Sequence, residues 1–348
     1  MNNRNDTIDV LRIVMAYIIV VYHSFLLGLL YFPGGGIATE FFFIITGALM
    51  NRSIIKNDKV NLWGFIKKKI VKLIPLFWFT SVITLLCKWI CGFKGIKSVV
   101  GDIVKNLFEF LFLRMIGVAD QYFINPVAWY LSAMFISILL LYPIARKYRE
   151  ICSTWLFPLI TIALCSFLIK EYGTVVTVSV DYSYFTLDLV KRAIAEICFG
   201  FSLYELSFRI ASFRLTSVGS VMLKCTEIIG YFSVLIAAIF ALDIKWSIWI
   251  LLLLGVSVAI SLSGHGVKLS IRNNKIKGWV AEYSLALYLS HYSVIIIMEK
   301  LKDVMKCSNI ELLLIYLVIA TIISIINMMI VSKVKQIWPI VIQIFVLK

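Results

Sequence analysis

The sequence predicts an all-α fold, a polytopic membrane helical bundle of about ten transmembrane helices, and three observations carry that prediction. Of the 348 residues, 61% are hydrophobic and 15% charged, with a mean hydropathy of +0.95. A water-soluble chain of this size needs far more polar surface. The apolar residues fall in runs near twenty long, the length that crosses about 30 Å of hydrocarbon. These runs recur from end to end and leave no room for a sizeable soluble domain. Inside lipid every backbone N–H and C=O must be satisfied within the segment, which runs of this kind achieve as helices.

In chain order the spans lie near 8–31, 37–55, 73–92, 126–144, 154–170, 185–206, 219–241, 246–263, 278–298 and 311–332. The first is read as a retained span. It is too long for a cleaved leader, carries Arg12 and His23, and lacks a small-residue cleavage pattern. Stretches 60–72 and 98–115 mix Lys or Arg with Phe, Trp and Leu, and read as interfacial helices. Residues 1–335 thus form one transmembrane domain. The apolar tail 336–348 is too short to cross and is expected at a membrane surface.

A formal charge of +15 raises the question of nucleic acid, and the placement of the charges answers it. One alternating set of segments, which includes Arg4, Arg52 to Lys72 and Lys268 to Lys277, holds 21 of the 34 Lys and Arg residues. The opposite set holds ten, and Arg12, Lys191 and Arg192 lie inside spans. Translocation disfavours Lys and Arg, so this bias puts both termini in the cytoplasm. The bilayer accounts for the basic balance, and no nucleic-acid partner is expected. The seven cysteines fall mostly in or beside apolar runs. Cys87 and Cys91 are four apart but have no histidine or third cysteine near them. They are read as packing residues, and no metal site is expected.

Ionisable side chains inside a membrane are costly, so each is a candidate site. Arg12 and His23 in the first span are eleven residues apart. At 100° per residue they share a helix face, roughly 16 Å apart along the axis. Arg12 at the inner boundary can snorkel to headgroups. His23 lies too deep for that, and its ring needs either a structural hydrogen bond or a catalytic task. Glu40 opens the second span at a similar depth. It is expected either to orient the imidazole of a general base or to rest in the outer headgroup layer. Lys67, Lys68, Lys69 and Lys72 form a basic cluster ahead of Pro75. Such a cluster suits anionic lipid, and equally a phosphorylated cofactor.

His291 in the ninth span faces conditions like those of His23, so packing and substrate contact both stay open. Trp129 and Tyr130 fall at the outer interface, where aromatic belts need no function, although they could also stack on a sugar ring. Arg192 and Glu196 are four apart on one face, hence a structural ion pair or part of an acceptor path. Asp9 is the natural counter-ion of Arg12.

Five segments occur in order: Arg12-x10-His23, Glu40-x-Phe42-Phe43-x-x-Thr46-Gly47, Lys69-x-x-Lys72-Leu73-x-Pro75, Trp129-Tyr130-Leu131-Ser132 and Tyr288-Leu289-Ser290-His291. With them, the chain resembles the integral-membrane acyltransferase 3 family over essentially its whole length. The resemblance implies a multi-pass enzyme of a bacterial cell (cytoplasmic) membrane. Such an enzyme takes an acyl group, commonly acetyl from acetyl-CoA, and gives it to a hydroxyl of a surface carbohydrate or lipid-linked sugar. His23 and Glu40 would then be catalytic. Arg12, Lys69 and Lys72 would hold the acyl-CoA phosphates, and Trp129, Tyr130, Arg192 and His291 would line the acceptor site. Direct transfer and an acyl-histidine intermediate both remain open. Two positions depart from the family pattern: Thr46 stands where a serine is usual, and Lys69 and Lys72 where arginines are. Lysine keeps the charge but loses the bidentate fork. The rival reading is a transporter or flippase of a lipid-linked glycan, which would need no acyl-CoA.

Overall fold

A computed structural model of the chain describes residues 5–56, 61–92, 95–116, 124–176, 185–241 and 246–346. Of the basic residues used for topology, Arg4, Lys59, Lys94, Lys245 and Lys348 lie outside the described residues. Helix α1 (Asp6–Tyr22) opens on Asn5, whose side-chain oxygen accepts the Ile8 amide at 3.2 Å. Asp6 and Asp9 lie in its first turn, where negative charge suits the helix dipole. A 3-10 turn, His23–Leu27, continues it and ends at Gly28 with φ +84°. A second 3-10 turn, Gly35–Ile37, leads into α2 (Ala38–Lys56) and α3 (Leu62–Gly92). Short helices α4 (Ile96–Lys105) and α5 (Leu107–Phe110) follow, then α6 (Trp129–Lys147) and α7 (Arg149–Ile151). The rest is α8 (Phe157–Tyr172), α9 (Phe185–Ala211), α10 (Ser217–Phe240), α11 (Ser247–Ser263), α12 (Asn274–Met305) and α13 (Asn309–Val346). No strand occurs among the described residues.

Eight helical stretches among the described residues are long and apolar enough to cross a membrane. The expected spans near 185–206 and 246–263 correspond to α9 and α11, which fall outside that set. Helix α11 has only 17 residues, and α9 carries Asp188, Lys191, Arg192, Glu196 and Glu205. The segment 60–72 is not a separate interfacial helix. Its residues 62–72 form the first turns of the 31-residue α3, which runs through Pro75 without a break. At 1.5 Å per residue α3 is roughly 46 Å long, well beyond the hydrocarbon thickness, so its lysine-bearing turns extend the span. The backbone of α13 stays helical to Val346.

Outward faces agree with a lipid solvent. Helix α13 exposes Ile310, Leu314, Val318, Ile322 and Ile326 at steps of four, and α10 exposes Val221, Ile228, Phe232 and Ile236. Stripes of that size would drive association in water; against acyl chains they are the ordinary surface.

Inside, α2 lies against α9 at a crossing made by two glycines. A Cβ on Gly47 would sit 2.0 Å from the Ile197 carbonyl oxygen, and one on Gly200 2.0 Å from that of Ile44. Small residues let two backbones approach this closely. Helices α6, α8 and α11 also pack on α9, while α1, α3 and α13 pack on α12. The loop after α11 is pinned to the start of α1. The Asp6 carboxylate accepts the Ile271 amide at 2.9 Å and Lys277 Nζ at 2.8 Å, and the Thr7 hydroxyl donates to the Val267 carbonyl at 2.8 Å. Glu227 of α10 accepts the Val267 amide and the Ser261 hydroxyl. These ties fix α1 beside α12, the two helices that bring the chain's deep histidines together.

Candidate active site

Helices α1, α2, α3, α6 and α12 line a cavity of about 350 Å³. From α2 come Thr39, Phe42, Thr46, Leu49 and Ser53, spaced three or four apart and hence on one face. Thr39 to Ser53 is roughly 21 Å along a helix, so the cavity follows most of the length of α2. At one end stand Ser53, Lys68, Lys69 and Lys72 with Arg12 of α1. Lys69 is half-buried with Nζ 5.3 Å from the Phe65 ring centre, and feels the charges of both Lys72 and Arg12. Arg12 is also bound to the buried Asp9 at 3.3 Å, the counter-ion expected from the sequence. Cations gathered this way at an apolar mouth suit an anion of several charges.

The other end is aromatic. Phe42, Tyr130 and Tyr288 meet pairwise with ring centres 6.0 to 6.4 Å apart. Tyr130 Oη lies 3.3 Å from Thr46 Oγ1, and Tyr288 donates to the Val127 carbonyl at 2.5 Å. Tyr288 leads onward, because its ring centre is 6.1 Å from that of His291, three residues along α12.

His23 and His291 form a pair. Nδ1 of His23 and Nε2 of His291 are 3.1 Å apart, with the rings stacked at 5.0 Å. His291 is fully buried and its Nδ1 lies 3.2 Å from the Leu287 carbonyl oxygen, whereas His23 is half-buried. Neither ring lines the cavity itself; Tyr288 stands between. The neighbouring backbone is held by side-chain amides. Asn125 donates to the Leu289 carbonyl at 2.9 Å and Asn327 to the Ser290 hydroxyl at 2.9 Å. Asn125 is positioned in turn by the buried Glu109 of α5, which accepts the Asn125 and Ile124 amides and Arg114 at 2.8 to 3.1 Å. Burial raises the carboxyl pKa of Glu109 above its ordinary value.

Glu40 lies elsewhere from where the sequence suggested. The expected contact with His23 is replaced by an ion pair across the α2–α9 crossing: Arg192 donates to Glu40 at 2.7 Å and to Glu196 at 3.0 Å. All three side chains are at most 2% exposed. The reason is angular and electrostatic. Glu40 is one residue, about 100°, from the cavity-facing Thr39, which aims it at α9. There a full guanidinium charge outcompetes an imidazole. The Glu40 and Glu196 carboxyls also interact with each other, and their second oxygens are buried. Trp129 is half-buried and has partners inside the bundle. It packs on Phe43 at 5.9 Å and offers its ring to Arg192 at 5.7 Å. Tyr130 is buried in the cavity wall.

The nine residues singled out from the sequence therefore fall into three groups: Arg12, Lys69, Lys72 and Tyr130 on the cavity, His23 with His291, and Glu40 with Arg192 under Trp129. Sequence reasoning gave no role to the connecting members, Tyr288 above all, which it met only as part of the 288–291 motif, nor to Thr39, Ser53 and Ser284 on the wall. The stripe 39-42-46-49-53 carried the signal, since threonine and serine recur there on one face of an otherwise apolar span. Among the described residues, no three His, Cys, Asp or Glu side chains group so as to hold a metal ion. A family model described as an acyltransferase domain matches residues 5–329. No curated protein and no solved structure matches the chain.

Proposed function

The chain belongs to the acyltransferase 3 family and is a multi-pass membrane acyltransferase, and from that premise we propose that it transfers an acyl group, acetyl first among candidates, from acyl-CoA to a hydroxyl of an extracytoplasmic carbohydrate or lipid-linked sugar. The observation that carries this reading is the cavity with a cationic mouth and an aromatic end next to a paired histidine. Lys69, Lys72 and Arg12 attract the phosphates of the donor, and the pantetheine arm follows the Thr39–Ser53 stripe of α2. The thioester then comes to rest by Phe42, Tyr130 and Tyr288, near His23.

His23 acts as general base. It takes the proton of the acceptor hydroxyl as the oxygen attacks the thioester carbonyl; the tetrahedral intermediate collapses, the C–S bond breaks, and the imidazolium returns the proton to the leaving thiolate. Ester and free thiol are the products. The buried Glu40–Arg192–Glu196 group holds α2 against α9 and presents Trp129 beside it, where an acceptor sugar can stack. The charge bias of the loops supports donor entry from the cytoplasm in a cell membrane.

The test is thermal unfolding of purified protein with acetyl-CoA and longer acyl-CoAs. A donor at 100 times its Kd stabilises the fold by about 2.7 kcal/mol. That shift is expected in the wild type and should fall to about 1.4 kcal/mol in the Lys69→Gln, Lys72→Gln double variant, for a ten-fold weaker donor at the same concentration. No shift with any acyl-CoA would overturn the reading.

A further inference from the structure

We propose that His291 is the positioning residue that fixes the tautomer of His23, doing for that base what an acidic orienter does elsewhere; the inference rests on the reading of His23 as general base. Hydrogen-bond direction decides it. The Leu287 carbonyl oxygen, 3.2 Å from Nδ1 of His291, can only accept, so that nitrogen carries the hydrogen. In a neutral imidazole the other nitrogen is then an acceptor. Nε2 of His291 therefore receives a hydrogen from Nδ1 of His23 across 3.1 Å. His23 is left with its hydrogen on Nδ1 and its lone pair on Nε2, the atom free to take a proton from an acceptor hydroxyl.

The relay runs one way: Leu287 C=O, His291, His23, substrate. It starts from a backbone carbonyl in the middle of α12, which cannot switch role. When Nε2 of His23 receives the hydroxyl proton, the new imidazolium still donates through Nδ1 to His291, so the transition state keeps its hydrogen bond and gains a charged donor. No proton passes from His23 to His291, and the one taken up at Nε2 goes on to the leaving thiolate. The supporting shell has the same purpose. Asn125 and Asn327 hold the Leu289 carbonyl and the Ser290 hydroxyl, on the two residues that precede His291. The 29° inclination and 5.0 Å separation of the rings keep the two nitrogens facing.

A leucine at 291 removes the imidazole acceptor and leaves the backbone carbonyl of Ile19 as the remaining hydrogen-bond partner of the His23 ring, a looser hold on its tautomer. A glutamine keeps an acceptor oxygen near the position of Nε2 without basicity. Purified His291→Leu, His291→Gln and His23→Ala proteins are compared by acetyl-CoA-dependent transfer, with KM for the donor and thermal unfolding measured alongside. His291→Leu should lose about 10²-fold or more in kcat, within the range of general-base effects, with KM for acetyl-CoA held within about two-fold. His291→Gln should recover to within ten-fold of the wild type. Equal loss in the Leu and Gln variants, or wild-type kcat in His291→Leu, overturns the positioning role while an inactive His23→Ala still supports the base. Wild-type activity in His23→Ala removes the base reading itself, and the tautomer lock with it.

Discussion

Replacing Gly47 by alanine adds one methyl group at the tightest point of the α2–α9 crossing. That methyl would lie 2.0 Å from the Ile197 carbonyl oxygen and 2.8 Å from the Phe201 amide nitrogen. Both neighbours are helical backbone and cannot rotate away, so the helices must part. The shortfall from an ordinary 3.4 Å contact is about 1.4 Å. Seven residues along α2, or roughly 10 Å, Glu40 holds Arg192 at 2.7 Å. A rigid separation of that size stretches the bond past hydrogen-bonding range. Overpacking costs about 1–3 kcal/mol, and a broken buried ion pair about 3–5 kcal/mol more. The assay is thermal unfolding of detergent-purified protein, in which Gly47→Ala should lower Tm by roughly 5–10 °C. Gly219→Ala is the control, since a Cβ there meets nothing closer than 3.4 Å. A Gly47→Ala protein that melts with the wild type would refute the claim that this crossing locks Glu40 to Arg192.

Three further outcomes follow from the same geometry. Arg192→Met leaves two buried carboxylates without their shared cation and should cost about 3–5 kcal/mol in unfolding measurements, whereas Glu196→Gln, which keeps the hydrogen bond, should cost clearly less. The Lys69→Gln, Lys72→Gln double variant should raise KM for acyl-CoA about ten-fold with little change in kcat, and wild-type KM should rise with ionic strength because exposed cations are screened. Phe42→Ala widens the aromatic end of the cavity. It should shift preference toward longer donors by about 0.8 kcal/mol per methylene accommodated, roughly four-fold each, read as the ratio of kcat/KM for butyryl- and acetyl-CoA.

Much of this architecture was legible in the sequence, because burial in lipid leaves long apolar runs and a 3.6-residue stripe. Arg12, Lys69 and Lys72 were readable as one basic mouth since they share an end of the bundle. Arg192 and Glu196 were readable as a pair since they are four residues apart on one helix. What escaped was contact between helices distant in the chain. Nothing local says that Glu40 meets Arg192, 152 residues away, or that His23 meets His291, 268 residues away. A choice of partner depends on how each helix is turned about its axis, and that was set by features with no chemical signature of their own, such as Gly47 and Gly200. The division of this stretch into an interfacial helix at 60–72 and a span at 73–92 failed for a related reason. Lysines broke the apolar run, yet they interrupt hydrophobicity without interrupting the backbone.

The central claim is that His23 is the base that activates the acceptor, and single-turnover transfer from labelled acetyl-CoA tests it most directly. His23→Ala protein that inserts normally and is stabilised by acetyl-CoA as the wild type is should transfer the label at least 10²-fold more slowly. Transfer at the wild-type rate by that variant would contradict the account.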